Sequence, residues 1–145
     1  MFCYVIIYGV KTVFSSGAHT KHRLLFHIVF IPKYRKRVLR YSLANKLVEL
    51  ITQCCEINNW IIFELEILPD HVHLLIQIKP RDSLSSVMHI IKGGTSRVIR
   101  KEFPELEEFL WGDSLWSDGY FAETVGCMNE KVITKYIQNQ QNKQV

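Results

Sequence analysis

The sequence has no aspartate or glutamate before Glu49. The same stretch carries Lys11, Lys21, Arg23, Lys33, Arg35, Lys36, Arg37, Arg40 and Lys46. Formal net charge over the whole chain is only +4, so positive charge is gathered at one end. Such a segment points to a polyanion, most simply nucleic acid, and the plainer alternative is a solvated face with no partner. No apolar run reaches the ~18–20 residues of a membrane span. Residues 1–10 are apolar but have neither the basic start nor the small-residue cleavage site of a signal peptide. Cys3, Cys54, Cys55 and Cys127 form no Cys-x-x-Cys pair, and adjacent Cys54 and Cys55 are poor disulfide partners. Reduced thiols and a cytoplasmic setting are expected. No Gly-x-x-x-x-Gly-Lys-Ser/Thr loop is present. Repeats are absent, and the glutamine-rich tail is the one biased tract.

What is present is a chain able to fold. Hydrophobic residues make up 48% and aromatics 12% of 145 residues, enough for one domain with a real core. Residues 1–20 read as a poorly defined extension, with a possible short strand within 4–14, and 21–145 as a single domain. Residues 24–31 are rich in β-branched and aromatic side chains and read as a strand ended by Pro32. The basic cluster Lys33-Tyr34-Arg35-Lys36-Arg37 follows. Ser42 is the expected cap of an amphipathic helix over 43–58, with Leu43, Leu47, Leu50, Ile51 and Cys54 at helical spacing. Strands over 60–68 and 71–78 flank the turn Pro69-Asp70. Ser83 caps a helix over 84–103, which Gly93-Gly94 interrupts at roughly 1 kcal/mol per glycine relative to alanine. That cost predicts a close approach by a backbone or a ligand, or a break. Gly93, Arg97, Arg100 and Lys101 share one face of this helix, a plausible phosphate-tracking stripe. A turn and a fourth strand follow over 115–124, then a last helix over 130–141 carrying Tyr136 and Gln140 as i, i+4 neighbours. The order β-α-β-β-α-β predicts an α+β, ferredoxin-like (RRM-like) antiparallel sheet with helices on one face, plus a C-terminal helix.

The most informative stretch is Leu68 to Ile78. Strand side chains alternate, so His71 and His73 point one way while Val72, Leu74, Ile76 and Ile78 form an apolar row on the other. Imidazoles at i, i+2 can place two nitrogens on one divalent cation; the alternative is an edge pair that bonds only backbone or water. If the hairpin loop is Pro69-Asp70 alone, Leu68 pairs with His71, Glu66 faces His73 and Glu64 faces Leu75. Glu66 is then a metal ligand, a partner of the ligands, or an exposed carboxylate on the open face of the sheet.

In this order the motifs resemble a known family. His27-Ile28-Val29-Phe30 with Pro32-Lys33-Tyr34-Arg35, Pro69-Asp70-His71-Val72-His73-Leu74-Leu75, Lys92-Gly93 with Ser96-Arg97, Phe103-Pro104, Leu115-Trp116-Ser117 with Gly119-Tyr120-Phe121, and Tyr136-Ile137 with Gln140 are similar to the single-tyrosine HUH transposases. These are the TnpA type, carried by bacterial and archaeal insertion sequences of the IS two-hundred/six-hundred-and-five kind. The resemblance runs from about His22 to Gln141, with Asp118 a small departure. It implies cleavage and rejoining of single-stranded DNA at hairpin-bearing element ends. Tyr136 would be the catalytic nucleophile, forming a 5′-phosphotyrosine. His71, His73 and Gln140 would hold Mg²⁺ or Mn²⁺, with Glu66 and Asp70 behind them. The active site would be shared between the subunits of a homodimer. Lys33, Tyr34, Arg35, Arg37, Lys92, Arg97 and Arg100 are the expected DNA contacts, since basic side chains follow phosphates and an aromatic stacks on unpaired bases. Three alternatives remain: a relative acting on chromosomal repeat hairpins, a non-catalytic nucleic-acid-binding module, and a hydrolase using His71, His73 and Glu66 with a water nucleophile.

Overall fold

The computed structural model describes residues 4–7, 15–16, 21–22 and 24–125. The elements are β1 (Tyr4–Ile7), β2 (Ser15–Ser16), β3 (Lys21–His22), β4 (Leu24–Phe30), α1 (Tyr41–Ile57), β5 (Ile61–Leu68), β6 (His71–Ile78), α2 (Leu84–Glu102), α3 (Glu107–Leu110) and β7 (Phe121–Val125). The expected helix with Tyr136 and Gln140 lies outside the described residues. Strands order as β1-β5-β6-β4-β7, with every neighbouring pair antiparallel. β2 and β3 pair separately.

Two crossovers build this sheet. The chain leaves β4, forms α1 and returns as β5, leaving a gap that β6 fills by folding back through the two-residue turn. It then leaves β6, forms α2 and returns as β7 on the other side of β4. This is the ferredoxin-like α+β arrangement that the element order predicts. The apolar row Val72, Leu74, Ile76 and Ile78 faces the helices. It packs with Ile28, Phe30, Leu65 and Ile67 from neighbouring strands, and with Leu43, Leu47, Ile51, Val87, Met88, Ile91 and Ile99 from α1 and α2.

Three local expectations are corrected. α1 begins at Tyr41 with Arg40 at its cap position and no side-chain cap, so Ser42 lies inside the first turn. Packing of Leu43, Ala44 and Leu47 sets that start in place of a cap. Ser83 does cap α2, its hydroxyl accepting from the Ser86 amide at 3.1 Å. α2 runs unbroken through Gly93 and Gly94, and a Cβ added at either meets nothing within 4 Å. The glycines therefore neither break the helix nor admit a close neighbour among the described residues. Finally, the second face of the sheet is not open at its centre, because Glu64, Glu66 and Gln77 are buried there with Leu25 and Leu75.

The connection into β7 is fastened from several sides. Lys33 and Ser117 amides donate to the carbonyls of Leu115 and Ile31 at 2.7 and 3.0 Å. Trp116 is 1% exposed, its ring meeting Phe30 edge-on at 4.7 Å. Its indole N–H donates to Thr95 Oγ1 at 2.9 Å, so the buried polar end of the ring is satisfied.

Candidate metal and nucleic-acid site

The hairpin turn sets the register, and the register sets the site. Leu68 pairs with His71, Glu66 with His73 and Glu64 with Leu75, as a two-residue loop requires. His71 and His73 lie side by side on one face of β6, ring centroids 4.8 Å apart and planes at 71°. The Nδ1 of His71 lies 2.6 Å from Asp70 Oδ1. A carboxylate accepts only, so the hydrogen sits on Nδ1 and leaves the Nε2 lone pair of neutral His71 bare. The bond from His71 holds the Asp70 carboxyl below its usual range, with Arg35 adding to the effect. Arg35 Nε donates to the other Asp70 oxygen at 3.0 Å. Burial, with His71 and His27 alongside, pushes His73 down to about 4, so its imidazole is neutral at physiological pH.

Two imidazoles side by side, one held by a carboxylate from behind, have the donor chemistry and second layer of a divalent cation site. The described residues supply those two donors; among them no three His, Cys, Asp or Glu side chains are grouped to hold a metal. Glu66 is buried opposite His73 but completes no such group. Tyr136 and Gln140, the expected nucleophile and third ligand, lie outside the described residues. His27 is the residue that sequence reasoning passed over as a site member. Its Nε2 lies 3.2 Å from His73 Nδ1, and its Nδ1 lies 3.3 Å from Glu123 Oε1. The available signal was a lone histidine inside the apolar run of β4.

The expected basic contacts divide. Lys33 pairs with Asp113 at 2.9 Å and Arg35 with Asp70. Lys92 Nζ donates to the carbonyls of Ser117 and Gly119, each at 2.8 Å, and Arg100 grips Glu107 through Nε and a terminal nitrogen at 2.9 and 2.8 Å. Lys92 and Arg100 thus fasten the chain, and neither is an uncommitted phosphate contact. Tyr34, Arg37 and Arg97 are exposed. Tyr34 and Arg35 have φ of 59° and 51°, a left-handed pair that turns Tyr34 outward, 71% exposed, while Arg35 reaches Asp70. Arg97, Arg100 and Lys101 line an open groove with Gly93 and Ser96 beside α2.

A family described as "Transposase IS200 like" matches residues 20–140. The chain belongs to the IS200-like transposase family. Relatives include the ISDra2 transposase TnpA of Deinococcus radiodurans, 32% identical over 130 residues that cover 90% of this chain and 93% of that protein. The transposase for insertion sequence element IS200 of Salmonella typhimurium is 35% identical over 126 residues, covering 87% and 82%. Among solved structures, a presumed transposase from Deinococcus radiodurans R1 superposes with a TM-score of 0.71 at 30% identity, covering 87% of this transposase and 97% of that chain. A REP-associated tyrosine transposase bound to a REP hairpin gives 0.57 at 15% identity, covering 85% and 67%, and shares the fold. No helix among the described residues of this transposase is long and apolar enough to cross a membrane.

Proposed function

We propose that this transposase cleaves and rejoins single-stranded DNA at the ends of an insertion sequence by attack of Tyr136 on a backbone phosphate. The observation that carries the reading is the His71–His73 pair on β6, with His71 Nδ1 tied to Asp70. Family membership supports the DNA cleavage and strand transfer; the tyrosine route and the cation are the finer reading. His71, His73 and Gln140 would hold Mg²⁺ or Mn²⁺. A cation bound there withdraws charge from the scissile phosphate and fixes its orientation. His71 and His73 would each contribute a ring-nitrogen lone pair, and the Asp70 bond keeps the His71 ring from rotating.

A free phenol has a pKa of ~10 and is a weak nucleophile, so placement against an activated phosphate is what Tyr136 needs. Its oxygen bonds to phosphorus as the phosphorus–3′-oxygen bond breaks. The phenol gives up its proton and the leaving 3′-oxygen takes one up, so the products are a 5′-phosphotyrosine and a 3′-hydroxyl. A second 3′-hydroxyl reverses the step on a new partner, and no nucleotide triphosphate is consumed. Excision needs two cuts and one tyrosine per chain supplies one, so a homodimer fits the stoichiometry. A hairpin is the DNA that the REP-associated relative holds, and a hairpin at the element's end is the proposed ligand here.

The test is a single-stranded oligonucleotide with an element end, labelled 3′ of the cut. Incubation with Mg²⁺ or Mn²⁺ should give a labelled band at protein mass. That band should vanish with EDTA, with Tyr136→Phe and with His71→Ala. Cleavage without an adduct that persists in Tyr136→Phe would move the reaction to a water nucleophile.

A further inference from the structure

His27 sits mid-strand on β4, opposite Leu75 of β6 on one side and Glu123 of β7 on the other. On that face it reaches diagonally to His73, within range for a ring. The two imidazole planes differ by 14° with centroids 5.4 Å apart. That separation is about an N···N hydrogen bond plus two ring radii, so the rings meet edge to edge with nitrogens facing. Glu123 Oε1, His27 and His73 Nδ1 therefore form one line of hydrogen bonds, at 3.3 and 3.2 Å.

The placement of hydrogens along this line follows from its end. A neutral imidazole has one N–H, and a carboxylate only accepts. The opposite arrangement would set the bare Nδ1 of His27 against the Glu123 carboxylate, acceptor against acceptor. So His27 Nδ1 donates to Glu123, and His27 Nε2 keeps its lone pair and accepts. The hydrogen between the rings then belongs to His73 Nδ1, and His73 Nε2 is left bare.

We infer that His27 and Glu123 are positioning residues that hold His73 in its Nδ1–H form, leaving Nε2 as the atom that binds a divalent cation. Asp70 does the same for His71 by a direct bond. The two ligands thus share one tautomer, set by two carboxylates, one in the turn before β6 and one on β7. The purpose assigned to this relay rests on the metal reading above, but the tautomer is a property of the metal-free protein and is measured there.

The experiment uses the full chain, labelled with ¹⁵N-histidine and stripped of metal, at pH 8, where ordinary imidazoles are neutral. Long-range ¹H–¹⁵N correlation should show His73 protonated at Nδ1 and bare at Nε2. His27→Leu should move His73 to the Nε2–H form that neutral imidazole favours in water. His27→Gln should keep the native form, because an amide oxygen accepts from Nδ1–H where His27 Nε2 did. Mn²⁺ affinity by calorimetry should fall ~10-fold or more in His27→Leu and recover in His27→Gln. Glu123→Leu, at a side chain 56% exposed, reads the same relay if His27→Leu does not fold. An Nε2–H His73 in the unmodified protein, or the same His73 tautomer in His27→Leu and Glu123→Leu, would overturn the inference. A wild-type protein with the expected tautomer and no Mn²⁺ binding would support the relay and sink the metal site.

Discussion

Asp70 shows how much a single side chain does here. One oxygen accepts from His71 and the other from Arg35, so one carboxylate ties a ring on β6 to the turn after β4. Asp70→Ala should lower Mn²⁺ affinity by about 10-fold. It should also free Arg35, which calorimetry and the salt dependence of DNA binding would register together. His73 and Glu64 respond to pH in opposite senses. The folded His73 titrates at about 4 against 6.5 when unfolded, so its contribution is whole above 6.5 and is lost as pH falls toward 4. Burial, with Glu66 beside it, pushes Glu64 up to about 7 against 4.5, so its contribution is whole below 4.5 and is lost as pH rises through 7. In the wild-type protein the two slopes oppose one another across the shared window. Thermal melts from pH 4.5 to 7 should show His73→Leu losing stability more steeply as pH rises than wild type. Glu64→Gln should show stability rising instead. Parallel curves for all three proteins would contradict this assignment.

At the scale of elements, α2 is fastened to the approach to β7 by Lys92, Thr95 and Ser96. Lys92 satisfies the Ser117 and Gly119 carbonyls, Thr95 accepts from Trp116, and Ser96 Oγ accepts from the Leu115 amide at 2.9 Å. Lys92→Met should cost roughly 1–3 kcal/mol in urea denaturation, because two carbonyls lose a charged donor. What was legible in the sequence follows the range of the contacts. The β5–β6 register was readable because Pro69-Asp70 fixes it locally, and Glu66 opposite His73 came with it. The neighbourhood of His27, His73 and Glu123 was not, because pairing of β4 with β6 and β7 is set by crossovers through α1 and α2 and no turn specifies it. The internal roles of Lys92 and Arg100 were hidden for the same reason: a base reads as available until the acceptor from a distant segment is placed beside it. Gly93-Gly94 marks no break, because a helix packed on its other faces tolerates two glycines.

For the molecule as a whole, the exposed bases are divided between the chain that follows β4, the strand of His27, and helix α2 on the apolar face of the sheet. Tyr34 and Arg37 follow β4, His27 lies within it, and Arg97 comes from α2. Arg37 and Arg97 are the exposed bases of the expected set that show no ion pair among the described residues. Replacing each by alanine should weaken binding of single-stranded DNA across sequences and reduce the slope of log K against log salt by about 0.7. Arg100→Ala should instead lower stability through the lost Glu107 pair. A filter-binding salt titration beside a melt would separate the two behaviours. An Arg37→Ala, Arg97→Ala protein with unchanged affinity would move the DNA path elsewhere.

The line Glu123–His27–His73 also has a consequence in time. Its bonds span 96 and 46 positions of the chain. A ribosome delivers β4 first, β6 later and β7 last. At ~5–20 residues per second, His27 waits about 5–20 s for Glu123 to be synthesised. Tyr136 is made later still. A nascent chain therefore carries its basic segment well before the line of Glu123, His27 and His73 can close. On the tyrosine route proposed above, the order of synthesis would withhold cutting until well after the basic segment has emerged.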